Sequence, residues 1–221
     1  IRESRGKDQR NLRLLRRRCL THPEDVVSRT YLARELIRIG DTTNARVEIE
    51  TAWHDLCRHR NDGNITESIV PLATARAFCL YQDEQYKRVI ETTQQSKAWG
   101  AEHPNLDFLE GISLEHLAVD NIDHLRTAKK SLSAAIAVHD QTFAEEVMPG
   151  ATSWAARTAL GIVLIRLNQP EAALTQLKIA VAEQPSYLAG QIALVEAMVE
   201  NGQAIQALST IEPLLQNKVP D

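Results

Sequence analysis

Three side chains that can bind a metal lie close together in the sequence: His54, Cys57 and His59. His54 and Cys57 are three residues apart, which places them on one face of a helix, whereas His59 points elsewhere unless the helix has already ended. A structural zinc site uses four protein ligands, and no fourth ligand stands nearby. The sequence therefore predicts no metal site, and we expect no cofactor.

The sequence also lacks the common catalytic motifs. The patterns GxxxxGK[ST], GxGxxG, HExxH, GxSxG and HxE…CxxC do not occur in it, so phosphate-binding loops and the common hydrolase and deaminase sites have no support. Glu145 and Glu146 stand beside Pro149-Gly150, a pattern more typical of a polar helix end than of paired catalytic carboxylates. We predict that this segment is not an enzyme.

Composition favours helices in an ordinary globular protein. Of 221 residues, 43% are hydrophobic and only 5% aromatic, and Ala, Leu, Glu, Gln and Arg are abundant helix formers.

No apolar run is long enough to cross a membrane, so no membrane insertion is expected. Cys19, Cys57 and Cys79 show no CxxC spacing and predict reduced thiols in the cytoplasm. Because Ile1 follows no initiator Met or signal peptide, we expect a piece of a longer or processed protein.

Charge is distributed unevenly along the chain. Residues 1–20 contain eight Arg or Lys against Glu3 and Asp8, a net +6, and the remainder of the chain brings the total to −4. A basic helix on an acidic body is compatible with nucleic-acid or membrane contact. No aromatic residues interleave with the arginines as stacking platforms would. We therefore favour an end-cap helix against an acidic surface or an upstream domain, and nucleic-acid binding is not expected.

A period of 34 residues is the strongest feature of the sequence. Leu160-Gly161 falls on Leu194-Val195, Ala173 on Ala207 and Leu177 on Ile211, which is the period of a tetratricopeptide repeat (TPR). Small residues stand where two antiparallel helices cross closely, and turn residues (Asn168, Gly202, and Gly40 in an earlier copy) end the first helix. The pattern predicts helical hairpins.

The whole chain, 1–221, is predicted to form one domain: an all-α, TPR-like, right-handed superhelical solenoid of about five helix-turn-helix repeats plus an N-terminal helix. The copy near residue 104 contains about five extra residues around 121–125, and the copy near residue 70 has an unexpectedly polar second helix around Thr92–Ser96. Segments 58–66 and 140–152 interrupt the period as loops whose role stays open. The leading helix is expected at 10–20 and the repeats at about 25–57, 67–100, 104–139, 152–185 and 186–217.

In such a solenoid the first helix of each hairpin lines the concave face. The second, fifth, ninth, twelfth and thirteenth positions of each repeat should face this groove, unless the aromatic side chains pack between repeats. A Lys/Asn/Arg clamp for a terminal carboxylate is not present at these positions, so an acidic C-terminal tail is not the expected ligand. The candidate partner-binding residues are Thr30, Arg34, Arg38, Phe78, Tyr81, Gln82, Phe108, Glu115, Arg166 and Glu196.

Several segments resemble another group of proteins. Gly6-Lys7-Asp8-Gln9-Arg10-Asn11-Leu12-Arg13-Leu14-Leu15, Pro104–Gly111 and Pro149–Trp154 are similar to segments of the C-terminal TPR region of bacterial family-2 glycosyltransferases. The resemblance implies a preceding mixed α/β transferase domain with paired metal-binding aspartates. No DxD triplet occurs in this chain, so no transferase residue is assigned to it.

The expected function is a non-catalytic protein–protein interaction scaffold that binds a peptide, a partner domain or its own upstream domain in the concave groove. It would be free-standing or the C-terminal module of a glycosyltransferase. The alternative is a TPR regulatory domain of a transcriptional or signalling protein, with the basic N-terminal helix on nucleic acid. The apolar last hairpin, from Met198 to Leu215, is either a cap or the interface of a homodimer through end repeats.

Overall fold

The computed structural model describes residues 2–59, 66–119, 121–139 and 141–216. Those residues form eleven α-helices and no strand, which confirms the predicted all-α class. The helices are α1 (Arg2–Thr21), α2 (Val26–Arg38), α3 (Thr42–His59), α4 (Thr66–Gln82), α5 (Tyr86–Ala98), α6 (Pro104–Leu117), α7 (Ile122–Ala137), α8 (Trp154–Arg166), α9 (Pro170–Glu183), α10 (Leu188–Glu200) and α11 (Ala204–Gln216).

The chain divides into two compact units, residues 1–102 and 103–221, which are described one at a time. Unit 1 contains α1 packed on α2, followed by the hairpins α2–α3 and α4–α5; unit 2 contains the hairpins α6–α7, α8–α9 and α10–α11. Helix α1 begins at Arg2, earlier than the leading helix expected at 10–20. The single domain over 1–221 stays a prediction, and most of the predicted 58–66 loop lies outside the described residues.

In several hairpins the first helix is followed by a residue in the left-handed backbone region. Gly40 has φ +83°, and its N–H and that of Asp41 donate to the carbonyls of Ile37 and Leu36, which closes the last turn of α2. Asn168 after α8 and Gly202 after α10 have φ +56° and +74°. The three predicted turn residues therefore end their helices.

Small residues allow the two helices of a hairpin to approach closely. A Cβ placed on Gly161 of α8 would lie 2.4 Å from Cγ of Leu177 on α9, and one on Gly111 of α6 would lie 2.6 Å from Cγ of Leu132 on α7. Both distances are shorter than an ordinary carbon contact, so a larger residue at either position would require the leucine to move or the two helices to separate. The periodic small residues thus set the crossing distance, as the sequence predicts.

The extra residues of the third hairpin lengthen its second helix. Gly111 and Leu132 are 21 positions apart, whereas the equivalent Gly161 and Leu177 are 16 apart. Helix α7 begins ten residues before Leu132 and α9 seven before Leu177, so three of the five extra residues add nearly one helical turn. Asn121 starts α7, because its side-chain oxygen accepts the N–H groups of Asp123 and His124.

The polar second helix of the second hairpin packs around a buried arginine. Thr92 of α5 is fully buried, and its hydroxyl accepts a hydrogen bond from Nη1 of Arg76 on α4. Two other nitrogens of Arg76 donate to the two carboxylate oxygens of Glu50 on α3, at 3.0 and 3.1 Å, and its guanidinium lies 4.8 Å from the ring centroid of Trp53. Arg88 of α5 donates to the same carboxylate at 3.2 Å. A threonine stands on α5 because its neighbour in the core is a cation and not an apolar side chain.

Candidate functional site

In unit 1 the candidate residues lie on α2 and α4, which pack against each other. Val27, Arg34 and Arg38 are spaced by seven and four residues, so they share one face of α2. On α4, Phe78 and Tyr81 are half-buried and Gln82 is exposed. The unit 1 inner face is defined by these side chains: Val27, Tyr31, Arg34 and Arg38 on α2 and Phe78, Tyr81 and Gln82 on α4.

Tyr31 is a member of this face that the position rule missed. It is four residues after Val27 and three before Arg34, and it is 53% exposed. Aromatic side chains exposed to this extent supply large contact area in protein interfaces. Its spacing from Val27 and Arg34 is visible in the sequence, but a rule of fixed repeat positions passes over it.

Thr30 is a candidate that the structure places in the interior. Its relative exposure is 2%, and its hydroxyl donates to the carbonyl of Val26 one turn earlier, at 2.8 Å. A hydroxyl satisfied by its own helix and covered by its neighbours is not available to a partner. Thr30 therefore belongs to the packing of α2 and not to the inner face.

The arginines of α2 are less free than the sequence suggests. Nε and Nη2 of Arg38 both donate to one carboxylate oxygen of Glu35, at 3.1 and 2.6 Å. This pair offsets part of the positive charge of α2. Arg34 is half-buried on the same face. A partner that approaches here meets an aromatic surface with a moderate positive charge.

In unit 2 the candidate residues lie on α6, α8 and α10, and each of these helices packs on the next. The side chains that share the face are mainly β-branched or aromatic, with acidic residues near its ends. Within each helix their spacing is one, three or four residues. The unit 2 inner face is defined by Phe108, Ile112 and Glu115 on α6, Ile162, Ile165 and Arg166 on α8, and Ile192, Glu196, Val199 and Glu200 on α10.

Glu115 and Arg166 satisfy each other. Nη1 of Arg166 donates to Oε1 of Glu115 at 2.6 Å and to the Glu115 carbonyl at 2.8 Å, and Nη2 donates to the carbonyl of Ala118. These carbonyls are at the C-terminal end of α6, where a cation interacts favourably with the last carbonyls and with the helix dipole. The pair joins α8 to α6 and contributes little net charge to the surface.

Helix α10 carries the most exposed apolar side chains of the unit 2 inner face. Ile192 and Val199 are each 54% exposed, and Glu196 and Glu200 between and beside them are exposed. Exposed β-branched side chains next to carboxylates match a partner segment that presents apolar and basic side chains.

His103 begins α6 and contacts the loop before α8. Its Nδ1 accepts the N–H of Asn105 at 3.2 Å, which assigns the proton of the neutral ring to Nε2, 3.2 Å from the carbonyl of Glu145. The ring also meets that of Phe143 edge-on, with centroids 5.0 Å apart. Burial lowers the pKa of His103 below its ordinary value of 6.5, and the carbonyl of Glu145 and the carboxylates of Glu145 and Asp107 oppose this effect only in part.

This depressed pKa predicts a loss of stability in acid. The unfolded chain takes up the proton below about pH 6.5, whereas the folded chain resists it, so the contribution of neutral His103 is complete above pH 6.5 and is lost as the pH falls through the folded pKa. His103→Asn keeps an N-cap acceptor without titrating. We expect the unfolding free energy of the wild type, measured by urea denaturation, to fall relative to that of His103→Asn between pH 7.5 and 5. A constant difference would contradict this assignment.

The described residues contain no group of three or more side chains able to hold a metal ion. Cys57 is exposed beside His54 on α3, and the side chain of His59 lies outside the described residues. None of the helices in the described ranges is long and apolar enough to cross a membrane.

No protein-family model and no curated protein matches the sequence. Solved structures do match its fold. YrrB, described as a TPR protein with an unusual peptide-binding site, is 14% identical, covers 92% of this chain and 92% of its own, and has a TM-score of 0.66. A TPR protein from Parabacteroides merdae is 14% identical over 98% of this chain and 76% of its own, with a TM-score of 0.64.

A third similar structure is a putative kinesin light chain from Podosopora anserina with nearly identical TPR-like repeats. It is 20% identical over 86% of this chain and 93% of its own, with a TM-score of 0.61. At these identities the likeness concerns the fold, and it agrees with the 34-residue period and the five hairpins of the described residues. The chain has the TPR-like solenoid fold.

Proposed function

We propose that this chain is a non-catalytic interaction scaffold that binds a segment of a partner protein on the inner faces of its units. The observation that carries the proposal is the surface of α10, where Ile192 and Val199 are over half exposed beside Glu196 and Glu200. Such a surface binds an extended or helical segment with apolar and basic side chains. The unusual peptide-binding site described for YrrB supports the same use of the fold.

Peptide selection tests the proposal while the partner is still unidentified. A displayed random-peptide library is selected on the wild-type chain, and we expect enrichment of peptides with apolar and Lys or Arg residues. The double variant Glu196→Lys, Glu200→Lys should lose these peptides by at least about ten-fold in affinity and select acidic ones, because the charge match is reversed. Glu212→Lys on α11, which is exposed outside the inner face, is the matched control and should retain the original peptides. Selection of the same peptides by the wild type and by the double variant Glu196→Lys, Glu200→Lys would contradict the proposal.

The unit 1 inner face makes a separate prediction. Reversal of charge at Arg34 and Arg38 should weaken capture of a partner that contacts Tyr31 and Phe78, without unfolding the hairpins, because Arg38 is exposed and Arg34 is only half-buried on α2. The readout is peptide affinity by fluorescence anisotropy, with the melting temperature measured in parallel. Unchanged capture would remove this face from the proposal.

We also propose, from the resemblance, that the chain is the C-terminal module of a glycosyltransferase and positions an acceptor protein or the enzyme itself. The segments that carry the resemblance fall in α1, in α6 and in the loop that leads into α8. We further infer a cytoplasmic location, for which the three cysteines without CxxC spacing are the support. The genomic sequence upstream of Ile1 tests the module, since it should encode an α/β domain with a DxD pair.

The second candidate is a regulatory domain in which α1 contacts nucleic acid. It is favoured by one observation: Arg10, Arg13, Arg16 and Arg17 are all exposed. Arg18, by contrast, forms a salt bridge in which its Nε lies 2.7 Å from Oδ2 of Asp25. An upstream helix-turn-helix domain, with affinity for DNA that falls steeply with salt, would support this candidate against the first.

A further inference from the structure

The loop before α8 folds back onto the first turn of α6. Within it, residues 143–148 form the segment that we name the strap. Nδ2 of Asn105 donates to the carbonyl of Glu146 at 2.9 Å, and the N–H of Met148 donates to Oδ1 of Asn105 at 2.8 Å. His103 adds the bond from Nε2 to the carbonyl of Glu145. Asn105 is 1% exposed as a result of this packing and that of its neighbours.

Nearly all of these contacts are made to the main chain of the strap. A single asparagine amide engages one carbonyl and one N–H two residues further along, and the ring of Phe143 lies edge-on against that of His103. Main-chain hydrogen bonds with one side chain in a defined place are the way in which extended peptides are bound. His103 and Asn105 therefore hold the strap as they would hold a separate peptide.

The strap covers one end of the unit 2 inner face. Asn105 is three residues before Phe108, and Ile112 follows four residues later, so the three side chains share a face of α6. Segments of a partner that run along Phe108 and Ile112 reach the strap at the N-terminal end of the helix.

We propose that the strap is an internal ligand: it occupies a site for a non-helical segment formed by His103 and Asn105, and a partner segment takes its place when the strap releases. This inference rests on the proposed function and names the mode of recognition. The preferred segment has six residues, of which the first is aromatic and packs on the ring of His103. The carbonyl of its third residue accepts from His103, and the carbonyl of its fourth accepts from Asn105. The N–H of its sixth residue donates to Asn105. A tethered strap acts at an effective concentration on the order of millimolar, so the wild-type chain binds such a segment weakly.

The test uses the chain's own sequence as the probe. A labelled peptide with the sequence of residues 141–150 is titrated by fluorescence anisotropy into the wild type and into a loosened variant, Phe143→Ser, Ala144→Gly, Val147→Gly. The loosened strap loses its ring contact and gains conformational freedom. We expect the loosened variant to bind the peptide at least about ten-fold more tightly than the wild type. Equal affinity for both proteins overturns the proposal.

Two matched comparisons assign the site. Addition of Asn105→Ala to the loosened variant should abolish the gain, because both main-chain bonds are lost. A peptide with Ser in place of Phe143 should bind the loosened variant at least about ten-fold more weakly than the parent peptide. Retention of full affinity in either comparison contradicts the assignment.

Amide exchange of the wild type tests the release itself and needs no variant. If the strap opens locally, the N–H of Met148 exchanges at least about 100-fold faster than the core amides of α6 to α9. Exchange at the rate of the core amides would mean that the strap opens only when unit 2 unfolds, and would overturn the proposal. Neither experiment uses a partner, so failure of the peptide selection at Glu196 and Glu200 is distinguishable from failure of this inference.

Discussion

Replacement of Ala173 by Trp is expected to lower the free energy of unfolding by about 1–3 kcal/mol. Ala173 is fully buried on α9. It is four residues before Leu177, which lies against Gly161 of α8, so both side chains face the crossing of the two helices. An indole at this crossing forces α8 and α9 apart, and the loss of packing exceeds any gain in apolar area.

The neighbouring residue provides a control with the same chemical change. Ala172 is exposed on α9, and Ala172→Trp is expected to alter the unfolding free energy by no more than about 0.5 kcal/mol. Urea denaturation followed by circular dichroism measures both variants. Similar destabilisation by the two, or none by Ala173→Trp, would show that the register of the fourth hairpin is wrong.

The second large effect concerns the arginine that organises unit 1. Glu50→Ala leaves the guanidinium of Arg76, whose side chain is only 10% exposed, without its two-oxygen partner and removes the bond to Arg88. Removal of one member of a buried pair strands the other charge in the core. Because the Glu50 side chain is 45% exposed, solvent screens part of this effect. We expect a loss of about 1–3 kcal/mol in the free energy of unfolding.

A surface pair in the same unit supplies the comparison. Glu35 binds Arg38, whose side chain is 48% exposed, and Glu35→Ala should destabilise by less than about 1 kcal/mol. Glu50→Gln retains an acceptor for Arg76, so its loss of unfolding free energy should lie between those of Glu35→Ala and Glu50→Ala. If Glu50→Ala proves no more destabilising than Glu35→Ala in urea denaturation, Arg76 does not organise this core.

The fold follows from the sequence because each hairpin repeats the same local requirements. Gly161 and Leu177 recur as a small and a large residue at a helix crossing, and Gly40 and Asn168 supply the left-handed turns. These are short-range relations with a fixed period, so one chain contains several independent examples of each.

The site is less predictable because its chemistry depends on contacts between distant segments. Thr92 departs from the repeat pattern, and only the position of Arg76 beside it explains why. The repeat positions assign Glu115 and Arg166 to a groove, yet these residues are 51 positions apart and bind each other. The strap is visible in the sequence only as a break in the period. Asn105 binds main-chain atoms of the strap, and these atoms are the same in every residue, so no sequence pattern identifies the contact.

Hydroxyl-radical footprinting of the chain with its tightest selected peptide tests the central claim most directly. Ile192 and Val199 on the inner face of α10 and Ile205 and Leu208 on α11 are all more than half exposed, so all four are labelled in the free chain. The inner-face account predicts that the peptide suppresses labelling of Ile192 and Val199 and leaves that of Ile205 and Leu208 unchanged. Protection of Ile205 and Leu208 with full labelling of Ile192 and Val199 would contradict it.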